Sequence, residues 1–353
     1  MGVGQAHRAG GGSEETVNAP LNHTALRGLL ADHGVPVAGE LDVTQLTGGR
    51  SNLTFRVSDG VSNWVVRRPP ISGVTASAHD VVREYRIITA LQNTAVPVAK
   101  PIACDPDGSA TGSPLTVVDY VPGLTIRSER DLDALTNRQV QAAVSALIAT
   151  LSAVHDVDYA DIGLGTLGRP NGFVARQVQL WSRQWEQVKT RDLRDVERLA
   201  QALNDRPAPA GVTCLVHGDF RIDNALISPR SAGEVLAVID WEMSTLGDPL
   251  TDIALACAYR NPDFDRLLGM PAAWTSARLP APDEIAEQYA QISGRDLIEW
   301  DYYLALAYFK IAVIAEGITY RYRQGADAGN AANDAATATP AYAAAGLRIL
   351  QPK

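Results

Sequence analysis

Three polar side chains in this sequence are spaced as phosphoryl transfer requires. The segment Leu215-Val216-His217-Gly218-Asp219-Phe220-Arg221-Ile222-Asp223-Asn224-Ala225-Leu226-Ile227 passes from an apolar stretch through His-Gly-Asp and a polar loop to an asparagine, then into another apolar stretch. Further along, Val238-Ile239-Asp240-Trp241-Glu242 is a short apolar strand ending in a carboxylate. Such strands would deliver Asp219, Asn224 and Asp240 to one cleft. Transfer from a nucleotide needs one carboxylate to orient the acceptor hydroxyl, and an amide with a second carboxylate to hold Mg2+ against the phosphates. That ion is hard, so oxygen ligands suit it and no Cys/His cluster is needed.

His-Gly-Asp alone is a common tripeptide, and Asp or Asn there serves equally to cap a turn. The full pattern, with its spacing and flanking apolar runs, is far more specific. His217 reads as a hydrogen-bonding scaffold for the loop rather than a proton carrier. Asp248 and Asp252 read as structural: Asp248 stands before Pro249 as a helix start, where an acid suits the N-terminal dipole.

Two regions of different texture must position these groups. Residues 1–20 are Gly/Ser-rich and polar, and read as an unordered tail. A short helix over 21–33 precedes β-like runs at 41–46, 53–57 and 63–68, the last stopped by Pro69-Pro70. Close spacing and Gly- or Asp-Gly-containing turns indicate an antiparallel meander rather than βαβ units. Over 78–92 the residues Val81, Val82, Tyr85, Ile88 and Leu91 recur at helical intervals. After Pro97 and Pro101, 115–121 reads as a buried strand ended by Pro122-Gly123. Helices are then expected over 131–155, 173–188, 192–204, 249–260, 283–292 and 296–324, with a hairpin-like interval at 214–240. The Ala-, Gly-, Asn- and Asp-rich stretch 325–340 reads as a loop before a last short helix at 341–350. The fold class is α+β in two lobes: a small, antiparallel-sheet lobe over 21–121 and a larger, mostly helical lobe over 122–353. The cleft beside the break is the expected ligand site.

The His-Gly-Asp-x-x-x-x-Asn block followed by Ile239-Asp240-Trp241 resembles the aminoglycoside phosphotransferase and choline kinase-like superfamily, relatives of the protein kinases. The resemblance runs from about residue 41 to 320 and includes Gly247-Asp248-Pro249-Leu250-Thr251-Asp252-Ile253-Ala254. Trp64-Val65-Val66-Arg67-Arg68-Pro69-Pro70 and Gly163-Leu164-Gly165 are most similar to the acyl-CoA dehydrogenase-associated phosphotransferases. The resemblance implies a bilobal protein kinase-like fold, with Asp219 as catalytic base or hydroxyl-orienting residue and Asn224 and Asp240 as magnesium ligands.

It also implies a nucleotide site in the first lobe. The turn Gly48-Gly49-Arg50-Ser51-Asn52 would cover the phosphates, with Gly49, Ser51 and Asn52 offering backbone N–H groups and small side chains. As a signal it lacks a full Gly-x-Gly-x-x-Gly, and Gly-Gly in a hairpin is usually only a turn. The cation that holds the α/β-phosphates falls on Arg67, where the superfamily usually has lysine. Arginine still pairs with phosphate, but with a larger fork in place of a point charge. Strand alternation puts Arg68 on the opposite face. Glu84 matches the glutamate that orients the cation, against its other reading as an ordinary helix-surface charge. The stretch 117–123 matches the lobe-connecting hinge, where backbone groups of Asp119 and Val121 would hydrogen-bond adenine. Nothing in those letters separates ATP from GTP.

Composition bounds the rest. The chain has 353 residues, with 46% hydrophobic and 20% charged, an ordinary globular balance. A net charge of −9 argues against a nucleic-acid partner. Three widely separated cysteines without CxxC spacing point away from a disulfide framework or zinc site and toward a reducing compartment. No signal-peptide-like apolar core stands at the N-terminus, and no uninterrupted apolar run nears the ~18 residues of a bilayer span. The expectation is a cytoplasmic small-molecule kinase using ATP and Mg2+, with no membrane partner. Its hydroxyl acceptor would be antibiotic-like, an amino alcohol or, as the subgroup favours, a hydroxyacyl metabolite. A nucleotide-binding pseudokinase that fails in transfer because of Arg67 is the other class. A protein kinase is disfavoured by HGD in place of HRD and by the lack of an APE segment. Acceptor walls are expected from helices after Asp240, including Glu242 and the aromatic run 300–310, although aromatics at helical spacing are more often core.

Overall fold

The computed structural model describes residues 21–46, 52–70, 80–325 and 331–351. Its first helix, α1 (His23–Asp32), starts where the Asn22 side chain accepts a hydrogen bond from the Ala25 N–H at 3.0 Å. Leu26, Leu29 and Leu30 fall on one face of it and are buried. The chain divides into two units, one formed by the stretch up to Thr89 with Ala99–Tyr120, the other by Ala90–Val98 with everything from Val121 onward. Ala90–Val98 therefore goes with the helical unit, although its sequence position is inside the 21–121 region. The unordered tail expected over 1–20 lies outside the described residues.

The first unit is one antiparallel sheet with strands in the order β1 (Asp42–Leu46), β2 (Leu53–Ser58), β3 (Asn63–Arg68), β5 (Leu115–Asp119) and β4 (Pro101–Asp105). The β2–β3 turn is set by Asp59, whose Oδ1 accepts from the N–H groups of Val61 and Ser62 at 2.9 and 2.6 Å. In β3 the alternation buries Trp64, Val66 and Arg68 and leaves Asn63, Val65 and Arg67 half-buried on the other face. Phe55, Val57, Trp64, Val66 and Val117 close a core with the α1 leucines. Helix α2 (Val81–Leu91) follows β3 in the chain. Strand β4 was not read from sequence, because Pro101 suggested only punctuation. Its place at the sheet edge is where a strand tolerates a leading proline.

The second unit is helical around two small antiparallel pairs. Strand β6 (Cys214–Val216) pairs with β9 (Thr245–Gly247), and β7 (Ala225–Ile227) pairs with β8 (Val235–Val238). The expected hairpin over 214–240 is thus two nested ladders, because the loop after Val216 leaves the first ladder before the second begins. Helices α3 (Glu129–Asp133) and α4 (Asn137–His155) open with capping boxes at Ser128 and Thr136. Then come α5 (Phe173–Val188), α6 (Arg194–Asp205), α7 (Pro249–Ala258), α8 (Phe264–Leu268), α9 (Pro282–Ser293), α10 (Trp300–Arg323) and α11 (Ala331–Leu350).

Helix α10 is the central post, packed against α5, α6, α7 and α11. By length and composition it could cross a membrane, with a mean hydropathy of 1.3 in its best 18-residue window. That window is 78% buried inside the protein, so α10 serves as a core helix. Counting uninterrupted apolar letters passed over it because Asp301, Lys310 and Glu316 break the run. Buried Glu316 is itself satisfied by the Thr190 hydroxyl and by Arg191 Nη2 at 3.3 Å. Helix α11 corrects the expected loop: the described chain from Ala331 is already helical, and alanine is the strongest helix former.

Candidate active site

Strand β6 aims the His-Gly-Asp loop, and several interactions lock it. Gly218 takes φ +85°, and a Cβ there would meet the Met243 carbonyl oxygen at 2.6 Å, so glycine is required twice over. His217 is buried between Phe220 and Trp241, with ring centroids 5.5 and 4.9 Å away. Its Nδ1 accepts from the Asp219 N–H at 3.3 Å and its Nε2 donates to the Ile239 carbonyl at 3.0 Å. That pattern is a neutral imidazole acting as a brace, with the proton on Nε2.

Behind the loop stands Asp252 of α7. Its Oδ2 accepts from the His217 N–H at 2.6 Å and its Oδ1 from the Gly218 N–H at 2.8 Å. His155 Nε2 lies 3.3 Å from Oδ2, and His155 Nδ1 is 2.7 Å from the Tyr289 hydroxyl. Burial pushes this carboxyl up, but His155 and the loop amides outweigh burial and hold it below the ordinary range. Asp248 caps α7 by accepting from the Leu250 N–H at 3.0 Å, and Tyr303 donates its hydroxyl to the second oxygen at 2.7 Å.

Asp219 follows, and a 3-10 turn over Ile222–Asn224 carries Asn224 back to it. Asn224 Nδ2 donates to the Asp219 carbonyl at 2.7 Å and to its carboxylate at 3.1 Å. The Ile239 N–H donates to the Asn224 carbonyl at 2.9 Å, which fastens the residue before Asp240 alongside Asn224. Asp240 itself adopts the left-handed region, φ 66° and ψ 58°, uncommon outside glycine and tolerated by Asp and Asn. The structure thus ties the stretches carrying 219, 224 and 240 to one another.

Both Nδ2 bonds of Asn224 point to Asp219, which leaves its Oδ1 uncommitted to that contact. Among the described residues no group of three or more His, Cys, Asp or Glu side chains forms a metal cage. One amide and one carboxylate fit Mg2+, which is commonly held by a few protein oxygens together with phosphates and water.

Arg221 completes the loop. Its Nη2 lies 3.0 Å from Asp219 and 3.3 Å from Asp223, and its guanidinium stacks over Tyr259 and Phe264 at 5.0 and 5.1 Å. Burial pushes the Asp219 carboxyl up, but Arg221, the Tyr259 hydroxyl and Lys310 together hold it below the ordinary carboxylate range. Burial and the Asp219 charge drive Asp223 the other way, against Arg221.

A cavity of about 140 Å³ opens beside this loop within the second unit. Its walls are Val216 and Gly218 with Met243 and residues of α5, α7 and α10. Of the expected aromatic run, Tyr303 and Lys310 reach it, whereas Tyr302 and Phe309 are core. Glu242 does not line it. The α5 wall, including Phe173 and Trp181, comes before Asp240 in sequence and was missed. Arg221 was given no role and Lys310 only a place at the end of that aromatic run, although each left a trace. Arg221 stands between two acids in a loop flanked by apolar strands, and Lys310 is the lone charge between Asp301 and Glu316 in an otherwise apolar helix.

In the first unit, Arg67 and Glu84 form an ion pair, with side chains 20% and 4% exposed. The glutamate is no surface charge. Arg68 faces the core, 5.8 Å from the Phe55 ring centroid. Asn52 is buried, and its amide has no hydrogen-bond partner among the described residues. Gly49 and Ser51 lie outside the described residues. Of the hinge groups, the Asp119 N–H is spent on the Lys100 carbonyl at 2.8 Å and the Val121 carbonyl on the Gly123 N–H at 2.9 Å. The Asp119 N–H is closed to a base, whereas the Val121 carbonyl keeps a second lone pair.

Known proteins align with this arrangement. Acyl-CoA dehydrogenase family member 10 of Mus musculus is 35% identical over 304 residues, covering 85% of this chain and 28% of its own length. Acyl-CoA dehydrogenase family member 11 of Homo sapiens is 31% identical over 300 residues, covering 84% and 38%. The chain therefore spans well under half the length of these curated relatives. A solved Ralstonia eutropha protein assigned as an aminoglycoside phosphotransferase is 30% identical, with a TM-score of 0.80 over 94% of this chain and 98% of that one. A thermostable mutant of aminoglycoside phosphotransferase APH(4)-Ia, in ternary complex with AMP-PNP and hygromycin B, matches at TM-score 0.60 and 17% identity over 94% and 99%, a likeness of fold. A model described as "Phosphotransferase enzyme family" matches residues 42–291, which contain the His-Gly-Asp loop, Asn224 and Asp240, and this chain belongs to that family.

Proposed function

We propose that the protein transfers the γ-phosphoryl group of ATP, with Mg2+, to a hydroxyl group of a small molecule. The observation that carries this reading is the bond from Asn224 Nδ2 to the Asp219 carboxylate, with Ile239 and hence Asp240 fastened alongside. Asp219 would hold the acceptor hydroxyl and take its proton as the phosphorus–oxygen bond forms. Asn224 Oδ1 and Asp240 would hold the ion, whose charge neutralises the phosphates. Arg67, braced by Glu84, would meet the α/β-phosphates, with Asn52 nearby in sequence at the covering turn. A carboxylate kept ionised suits an orienting role at neutral pH better than strong basicity.

For the acceptor we favour a hydroxyacyl or other endogenous metabolite over an antibiotic. Support comes from the acyl-CoA dehydrogenase names of the relatives and from the apolar walls Phe173, Leu180, Leu306 and Met243 of the cavity. We place the activity in the cytoplasm, without nucleic-acid or membrane partners.

The test is ADP release with ATP·Mg2+ across hydroxy acids, their thioesters, amino alcohols and aminoglycosides, with GTP as alternative donor. Turnover should appear with one class and vanish in Asp219→Ala. Stabilisation by ATP·Mg2+ in a thermal melt, with no Asp219-dependent turnover on any acceptor, would instead favour the pseudokinase reading that Arg67 raises. The intact Arg67–Glu84 pair speaks for transfer.

A further inference from the structure

The cavity beside Gly218 contains two charged side chains, and they are spent differently. The Asp252 carboxylate accepts both loop N–H groups and also faces His155. Other polar walls are committed too: the Tyr303 hydroxyl to Asp248, the Thr251 hydroxyl to the Asp248 carbonyl and the Gln177 Oε1 to the Trp181 N–H, leaving the neutral Gln177 amide N–H and Thr245 hydroxyl and one charge, Lys310. Lys310 is half-buried on α10. Its Nζ donates to the Gly218 carbonyl at 3.2 Å, one residue before Asp219, and sits 5.6 Å from the Trp181 ring centroid. Among the described residues the ammonium makes this one hydrogen bond, so two N–H protons remain for a ligand.

We propose that Lys310 selects the acceptor by charge: its ammonium turns away cationic amines and hydrogen-bonds an oxygen of a neutral or anionic hydroxy compound whose apolar body fills the cavity. This rests on the phosphotransferase reading, which makes the cavity beside Asp219 an acceptor site. The Trp181 face and the Gly218 carbonyl pin the charge in place, so little side-chain entropy is lost when a ligand oxygen arrives. The two neighbouring carboxylates are already held by other partners, Asp252 by the loop N–H groups and His155 and Asp219 by Arg221, so a second cation would meet the Lys310 charge with little water to screen it. The walls supply burial for methylene groups, and the lysine supplies the preference.

The experiment measures binding by calorimetry in the absence of nucleotide, with three probes of matched length: 6-hydroxyhexanoate, its methyl ester and 6-aminohexan-1-ol. Wild type should bind the acid and the ester at least 10-fold more tightly than the amine. Lys310→Glu should reverse acid and amine, and Lys310→Met, close to isosteric and tolerable in the fold, should keep the ester while losing the acid. An unchanged order in both variants overturns the proposal, as does equal binding of amine and acid by wild type, or no binding of any probe. Should the binding order hold while no ADP is released with any acceptor, selection by Lys310 stands and the transfer reading falls.

Discussion

Asp219 and Asp252 belong to the same unit, both carry charge-holding partners, and both are held below the ordinary carboxylate range, yet they are built for different ends. Asp252 is 2% exposed, and its oxygens take main-chain N–H groups of the loop. Asp219 is 22% exposed, and the groups that hold its carboxylate are side chains, Arg221 and Asn224. A carboxylate saturated by backbone N–H groups is a fastener. One kept ionised by side chains, with part of its surface open, is available to a reactant.

Asp219→Asn should separate the two most sharply. Turnover should drop by about 10³-fold or more, while the melting temperature stays within a few degrees of wild type. Asp252→Asn should do the reverse. Its amide would present a donor to one of the two loop N–H groups, and a broken buried charge network costs about 3 kcal/mol, or roughly 6–12 °C of Tm. The sign of the pH effect follows from the lowered folded value. The stabilisation by Asp252 is complete above its unfolded value of about 3.9 and is lost as pH falls through the lower folded one. Acid titration by circular dichroism should therefore show Asp252→Asn with a smaller drop in stability below that pH than wild type. Equal stability losses in the two variants would erase the distinction.

Arg221→Gln tests how Asp219 is held. The loss of a charge-assisted hydrogen bond should lower kcat by about 30-fold. Because Arg221 helps depress the Asp219 value, its removal should move the acid limb of the kcat profile upward in pH. A fall in kcat without that movement would make Arg221 a packing residue only.

Asp219 and Asp252 were not equally legible in the sequence. Asp219, Asn224 and Asp240 stood out because chemistry ties residue type to spacing, and the apolar runs on either side marked strands. The meander of the first unit was legible for a similar reason, since alternation in Asn63–Arg68 and the Asp-Gly turn are local signals. Asp252 was read as structural, but its bond partners are 34 and 35 residues away, beyond any local pattern. Helix α11 was misread because its Ala, Asn and Asp letters resemble a loop when the packing against α6, α8 and α10 is unseen. The cavity was hidden for the same reason: Trp181 and Lys310 meet only through the packing of α5 on α10.

The first unit offers a weaker version of the same contrast. Glu84, at 4% exposure, is nearly as buried as Asp252, but its partner Arg67 is 20% exposed and so remains reachable by a ligand. An arginine has five N–H donors in a planar fork, so one edge can rest on Glu84 while another meets phosphate, which a lysine's point charge does less directionally. If Glu84 only braces the sheet, Glu84→Gln should lower the melting temperature and leave nucleotide kinetics alone. If it aims Arg67 at the nucleotide, KM for ATP should rise about 10-fold, the size of one charge-assisted hydrogen bond, with kcat changed far less, because the proposed reading gives the acceptor hydroxyl to Asp219 and not to this pair. Steady-state kinetics at saturating acceptor separate the two outcomes, and the KM shift is the one expected.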